Sequence, residues 1–288
     1  MTAETPPPPA RSGGDPAAPT SPLLGLRAFT MARVALGRAG VSLTTADHLR
    51  FTLDHARARD AVHAPLDLPA LRCSLERLGL DQLALASRAR DRREFLLRPD
   101  LGRLLDEESL ALLASLPPGP KRPDLVLALS EGLSAVALER QALPFLERFL
   151  PLARSRGWAV APLCHVAQGR VAVGDDVGEA LGARAVAVLI GERPGLSSPD
   201  SMGVYLTYAP RRGLTDAARN CISNIRPDGL PHARAAMTLD HLLAKALALG
   251  FSGVDLKDDL ALDGPAPRNA LPGAGRALPP DAPGDATG

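Results

Sequence analysis

Ala185-Val-Ala-Val-Leu-Ile-Gly-Glu-Arg-Pro-Gly-Leu-Ser-Ser-Pro-Asp-Ser-Met-Gly203 decides the fold of this chain. It opens on an unbroken apolar run, Ala185 to Ile190. An apolar run with no polar alternation suits a strand buried on both faces, as in a parallel sheet. The run stops at Gly191. Glu192 and Arg193 follow, and Pro194-Gly195 force a turn. A buried strand thus delivers a carboxylate and a guanidinium into a Gly/Pro/Ser loop. In open α/β sheets the crevice beyond the carboxyl ends of the strands is where ligands bind. The plainer reading is that Glu192 and Arg193 pair with each other on the surface, and the pattern leaves both readings open.

Working outward, the same alternation of buried strand and helix recurs. Leu125–Leu129 reads as a strand, and Ser130-Glu-Gly-Leu-Ser134 as a turn with helix-start chemistry. A long helix follows over about Ala135–Arg156, bent at Pro144. Trp158–Val166 reads as a second strand and Gly169–Val173 as a short third one. A short helix ends at Gly182. Beyond the opening stretch, Val204–Ala209 is a strand, Arg219–Pro227 is polar and loop-like, and His232–Leu249 is a helix. Strands alternating with helices predict an α/β fold. The expectation is a Rossmann-like C-terminal domain over 119–262, its parallel or mixed sheet flanked by helices.

The preceding segment, 22–118, reads as mainly helical. Leu49, Phe51, Leu53, Ala56 and Val62 form an apolar stripe on a helix over Asp47–Ala64. Asp54, His55, Arg57, Arg59, Asp60 and His63 fill its other face. That face is either solvated or a self-complementary subunit contact. Pro69–Leu78 and Asp81–Arg90 read as short helical pieces, Phe95–Arg103 as a connection, and Asp106 or Glu107 to Leu116 as a helix. Pro117–Pro123 is the candidate linker. The ends, 1–21 and 263–288, are rich in Pro, Ala and Gly and read as disordered tails, unable to offset their ordering entropy by burial.

Composition excludes several classes. The net charge is +1 and the aromatic content 3%, so neither a basic face nor stacking platforms for nucleic acid are present. No apolar run approaches membrane-spanning length, and no secretory signal is visible. Cys73, Cys164 and Cys221 are three and far apart, which fits neither a disulfide framework nor a zinc site. A reducing, cytosolic setting is expected.

Self-contained catalytic machinery is missing. There is no nucleophile elbow, phosphate-binding loop, metal-ligand cluster or His-centred triad, and no Gly-x-Gly-x-x-Gly follows a strand. His165 reads as structural. Cys221, between Asn220 and Ile222, is either a plain loop thiol or a nucleophile without a base. Ser134, Ser197, Ser198 and Ser223 read as caps and turns. Arg33 and Arg38, among the glycines of 32–40, are either solvated or aimed at an anion. A ligand would be held by backbone groups and a few polar side chains, which fits a cofactor-binding or subunit role.

Five segments carry a resemblance, in the same order and at similar spacing from Ala32 to Asp258: Ala32-Arg-Val-Ala-Leu-Gly-Arg-Ala-Gly40, Asp54-His-Ala-Arg-Ala-Arg-Asp60, Leu97-Arg-Pro-Asp-Leu-Gly102, Gly191-Glu-Arg-Pro-Gly-Leu196 and Cys221-Ile-Ser-Asn-Ile225. Together they resemble the small subunits of ethanolamine ammonia-lyase. The resemblance implies half of an adenosylcobalamin-dependent (coenzyme B12) enzyme that converts ethanolamine to acetaldehyde and ammonia. It implies a large-subunit partner that holds ethanolamine and the catalytic residues, with none of those in this chain. The hard step, homolysis of the cobalt–carbon bond, would belong to the cofactor. Val171, Glu192 and Cys221 carry over as cobalamin contacts. No Asp-x-His-x-x-Gly motif is present, so the resemblance implies no metal ligand here. Two departures stand out. Glu131 replaces the family's usual Asp before Gly-Leu-Ser. The Pro-rich Met1–Ser21 lacks the amphipathic helix that enteric relatives use for packaging in a bacterial microcompartment, so a cytoplasmic site is expected with encapsulation in doubt. The rival readings are a stand-alone Rossmann-like small-molecule-binding module and a non-catalytic assembly subunit.

Overall fold

The seven residues of the opening strand, Ala185–Gly191, are all buried, as a strand covered on both faces must be. The computed structural model describes residues 25–26, 33–117 and 121–260. The expected tails, 1–21 and 263–288, lie outside the described residues. The chain divides into two units, with the division at Thr52–Leu53.

In the first unit, β1 (Arg38–Ala39) and β2 (Ser42–Leu43) form an antiparallel hairpin. Asp47 accepts from the Gly37 backbone N–H at 2.8 Å and from the Thr44 hydroxyl at 3.0 Å, which ties the hairpin to the helix start. Arg33 lies over the Phe51 ring at 5.0 Å. The arginines of this segment therefore sit in a hairpin region and not in an open loop.

The second unit is built on one mixed sheet of six strands in the order β3-β5-β4-β6-β7-β8. Its strands are β3 (Gln82–Ala86), β4 (Leu125–Ser130), β5 (Leu163–Ala167), β6 (Ala185–Gly191), β7 (Met202–Tyr208) and β8 (Arg219–Ile225). β3, β5, β4 and β6 run parallel, whereas β7 is antiparallel to both β6 and β8. Eight named strands and seven α-helices alternate along the described residues: α1 (Thr45–His63), α2 (Leu68–Leu75), α3 (Arg92–Leu97), α4 (Glu107–Ser115), α5 (Ala135–Ser155), α6 (Val173–Ala180) and α7 (His232–Leu249). The α/β fold with a mixed sheet flanked by helices is as the sequence predicts.

Two apolar layers sandwich the sheet. On one face α5 and α7 pack Leu138, Phe145, Phe149, Leu239 and Leu243 against Leu127, Leu189 and Leu206. The Ser134 hydroxyl caps α5 by accepting from the Ala137 N–H. Pro144 and Pro151 both lie inside α5. On the other face α4 and α6 pack Leu113, Val173 and Val177 against Val126, Val186 and Val188.

Four expectations are corrected. Gln82–Ala86 is a strand and not a helix, and it supplies the sheet's outermost parallel strand. Gly169–Val173 is not a strand: it turns at 170–172 into α6, with Val173 N–H bonded to the Arg170 carbonyl. Arg219–Ile225 is a strand where a loop is expected. The expected strand Trp158–Val166 begins only at Leu163, and the residues before it contribute a single bridge, Val160 to Leu125. The helix expected over Asp47–Ala64 is present as α1, and its Leu49, Phe51 and Leu53 are 62%, 41% and 50% exposed. Among the described residues no helix is long and apolar enough to cross a membrane.

Candidate functional site

Sheet order fixes where a ligand can sit. From β4 the chain crosses to β5 on one side, then returns past β4 to β6 on the other. The crevice between the carboxyl ends of β4 and β6 is therefore the topological switch point. β6 ends at Gly191, paired with Met202 at the start of β7, which in turn pairs with Ile225 at the end of β8. Glu192 and the end of β8 thus share one edge of the sheet with Ser130 and Glu131.

Gly191 is required there. A Cβ on it would come within 2.6 Å of the Glu131 carbonyl oxygen, with the Ser134 carbonyl closer still. Only glycine lets the turn after β4 lie on the end of β6, and Leu133 N–H closes the contact by donating to the Gly191 carbonyl at 3.0 Å.

Glu192 points to the α6 side. Its carboxylate accepts from the Asn224 backbone N–H at 3.1 and 3.2 Å, and not from Arg193. Its own N–H donates to Ser201 O at 3.0 Å. Asn224 adopts a left-handed φ of 58° beside the irregular register between β7 and β8. Asparagine tolerates that conformation. Gly203 makes the space: a Cβ there would sit 3.0 Å from Glu192 Oε1 and 3.2 Å from Tyr205 Cε2.

Cys221 pairs in register with Tyr205, on the same face as Glu192. The thiol is exposed. Although the residue is exposed at the surface, the protein packed around it partly desolvates the thiol and pushes its pKa up; Tyr205 pulls the other way and Glu192 adds to the rise. Burial and the neighbouring thiol push the Tyr205 phenol up as well. Both groups are therefore neutral at physiological pH, and among the described residues no base is bonded to Cys221 that would make it a nucleophile. α7 covers β7 and β8 on the opposite face, while α6 covers β4 and β6 on this one. Cys221 is consequently open on the sheet face that carries Glu192.

Val171 stands in the turn into α6, half-buried against the same apolar cluster as Tyr205. The turn is held from behind. Arg170 donates to the Phe95 carbonyl at 2.9 Å and lies over its ring at 3.9 Å, and Arg170 N–H donates to the Gly102 carbonyl. So Glu192 and Cys221 share one site with Tyr205, and Val171 joins the cluster that borders it. Tyr205 and Asn224 are missed by sequence reading, because only the β7–β8 register brings them there. Among the described residues no group of acids, histidines and cysteines could hold a metal ion.

Below this face α6 is pinned to β8. Arg219 makes two bonds to Asp175, at 2.7 and 2.8 Å, with both side chains almost fully buried. Arg212 holds Asp176 in the same way, at 2.9 and 2.7 Å.

Comparison with known proteins follows the same segments. The family model described as ethanolamine ammonia-lyase light chain (EutC) matches residues 20–257. The ethanolamine ammonia-lyase small subunit of Azotobacter vinelandii is 54% identical over 257 residues, covering 87% of this chain and 95% of that protein. The small subunit of the same name from Ralstonia nicotianae is 55% identical over 241 residues, covering 83% and 88%. That of Pseudomonas aeruginosa is 52% identical over 252 residues, covering 86% and 92%.

Proposed function

This chain belongs to the ethanolamine ammonia-lyase light-chain family, and from that premise we propose that it binds cobalamin across the open β7–β8 face as the large subunit's partner. The observation that carries this reading is the gathering of Glu192, Tyr205 and Cys221 on one uncovered sheet face at the switch point. The residue chemistry fits a corrinoid. Glu192 spends part of its acceptor capacity on Asn224, and a carboxylate has room for further donors such as the amide side chains of a corrin. Cys221 and Tyr205 offer neutral, polarisable surface without a competing charge. Val171 offers an apolar contact at the mouth of α6.

When bound, adenosylcobalamin supplies radical chemistry by homolysis of its cobalt–carbon bond. This chain's residues orient and cover it. Ethanolamine and the catalytic groups belong to the large subunit, and this chain is inactive alone. The segment 22–118 supplies the contact with that subunit, and the exposed Leu49 and Leu53 of α1 support this. The three free cysteines accord with a cytosolic enzyme.

Equilibrium binding of cobalamin to the assembled complex tests the site. Glu192→Ala is expected to raise Kd by about ten-fold or more, the loss of one charge-assisted hydrogen bond. Glu192→Gln keeps an acceptor for Asn224 and should fall between. Unchanged affinity in both variants removes Glu192 from the site.

A further inference from the structure

The ladder beside Glu192 is irregular at one place. Between the pairs Met202–Ile225 and Val204–Ile222, β7 has Gly203 alone where β8 has Ser223 and Asn224. Two residues opposing one form a β-bulge, which bends a strand and re-aims its groups. Asn224 is the bulge residue with positive φ, at 58°. Its N–H is the group that donates to the Glu192 carboxylate, at 3.1 and 3.2 Å.

A residue with a side chain keeps a left-handed conformation only where its surroundings hold it there. Asn224 is held at every polar group. Besides the N–H on Glu192, its carbonyl accepts from the Leu230 N–H at 2.7 Å, and its Oδ1 accepts from Arg226 Nε at 3.1 Å. Gly229 lets the turn close on it, since a Cβ there would sit 2.7 Å from Asn224 Cγ. Glycine would take this φ with the least strain. Glycine has no Oδ1, so the asparagine is explained by what its side chain holds.

Arg226 is the other half of the arrangement. It is 8% exposed. Its Nη1 donates to the Ser197 carbonyl at 3.3 Å, and its backbone N–H donates to the Leu230 carbonyl at 3.2 Å. Ser197 lies in the loop that Glu192 begins. One guanidinium therefore ties that loop to the bulge, and the bulge in turn holds the carboxylate.

We propose that Asn224 is a positioning residue of the cobalamin site: anchored by Arg226 in the left-handed conformation, it aims its own N–H at Glu192 and fixes where that carboxylate meets the corrin's amide groups. This rests on the cobalamin reading given above and adds to it the group that orients Glu192.

Titration of adenosylcobalamin into the complex assembled with the large subunit tests this by a double-mutant cycle. Asn224→Gly adopts the same φ and keeps the N–H but loses Oδ1. It should raise Kd about five-fold, because the freedom returned to that N–H must be lost again on binding. Asn224→Asp keeps the tolerance of positive φ and an acceptor for Arg226, and should stay within about two-fold of the unsubstituted chain. With Glu192→Ala already in place, Asn224→Gly should change Kd by less than about two-fold, since the group it orients is gone. The positioning role is overturned if Asn224→Gly binds as tightly as the unsubstituted chain or if Asn224→Asp is no better than Asn224→Gly. It is equally overturned if Asn224→Gly costs the same with and without Glu192, which is the outcome of a merely structural role. An unchanged Kd in Glu192→Ala itself would remove Glu192 from the site and the proposal with it, whereas weakened binding there beside an unaffected Asn224→Gly removes the positioning role alone.

Discussion

Glu192 and His165 show what one residue can and cannot declare. Glu192 follows an uninterrupted apolar run, so a strand end carrying a carboxylate is legible in the sequence. Its bond to the Asn224 amide is not, because that depends on the β6–β7–β8 register. His165 is legible as a core residue, and it is 2% exposed. Its tautomer depends on Gln82, eighty-three residues away in sequence, and no local pattern could announce it. A pH prediction follows at this scale. His165 titrates near 6.5 in the unfolded chain and near 4 when folded. Between those values the unfolded state binds more protons, so stability is fully present above pH 6.5 and falls as pH drops toward 4. The loss is on the order of 3 kcal/mol. His165→Phe should flatten the pH dependence of urea unfolding over that window. An unchanged acid limb would assign the loss to other groups.

Elements were legible where burial made them uniform. β4 and β6 are buried along their whole length and read as strands without ambiguity. β8 hid behind its polar residues. Of Arg-Asn-Cys-Ile-Ser-Asn-Ile only Arg219, Ile222 and Ile225 are buried, and the irregular register breaks the alternation of period two. β3, Gln-Leu-Ala-Leu-Ala, is made of good helix formers and is a strand because β5 offers it a partner. Two variants test the contacts that join elements. Arg219→Met leaves Asp175 buried without its cation and should cost about 3–5 kcal/mol in chemical denaturation. A loss below 1 kcal/mol would show that the pair does not pin α6 to β8. Gly191→Ala places a methyl against two carbonyl oxygens. It should lower the thermal midpoint and weaken cobalamin binding together, because the turn after β4 and Glu192 share that contact. Loss of one without the other would separate the fold from the site.

At the scale of the molecule, the sheet carries an apolar layer on each face. Among the residues of α1 only Ala61 is buried. Leu49 and Leu53, one helical turn apart, are 62% and 50% exposed, and the sequence does not say what covers them. If the large subunit covers them, Leu49→Glu with Leu53→Glu should abolish co-purification while the isolated chain keeps its circular dichroism. Retained assembly would move the contact elsewhere. The resemblance seen in five short segments and the family match agree over most of the chain, and those segments include the turn at Gly191, the strand at Cys221 and the turn at Gly102 that backs the Val171 loop. At Gly191 and Gly102 the backbone lies so close to its neighbours that a Cβ would meet other atoms at under 3 Å.

The central claim is that this chain completes an enzyme it cannot form alone. Its most direct test is adenosylcobalamin-dependent release of ammonia from ethanolamine, measured with this chain, with the large subunit, and with the two mixed. The account predicts activity only in the mixture. No activity in a mixture that demonstrably forms the complex, or no complex at all, would contradict it.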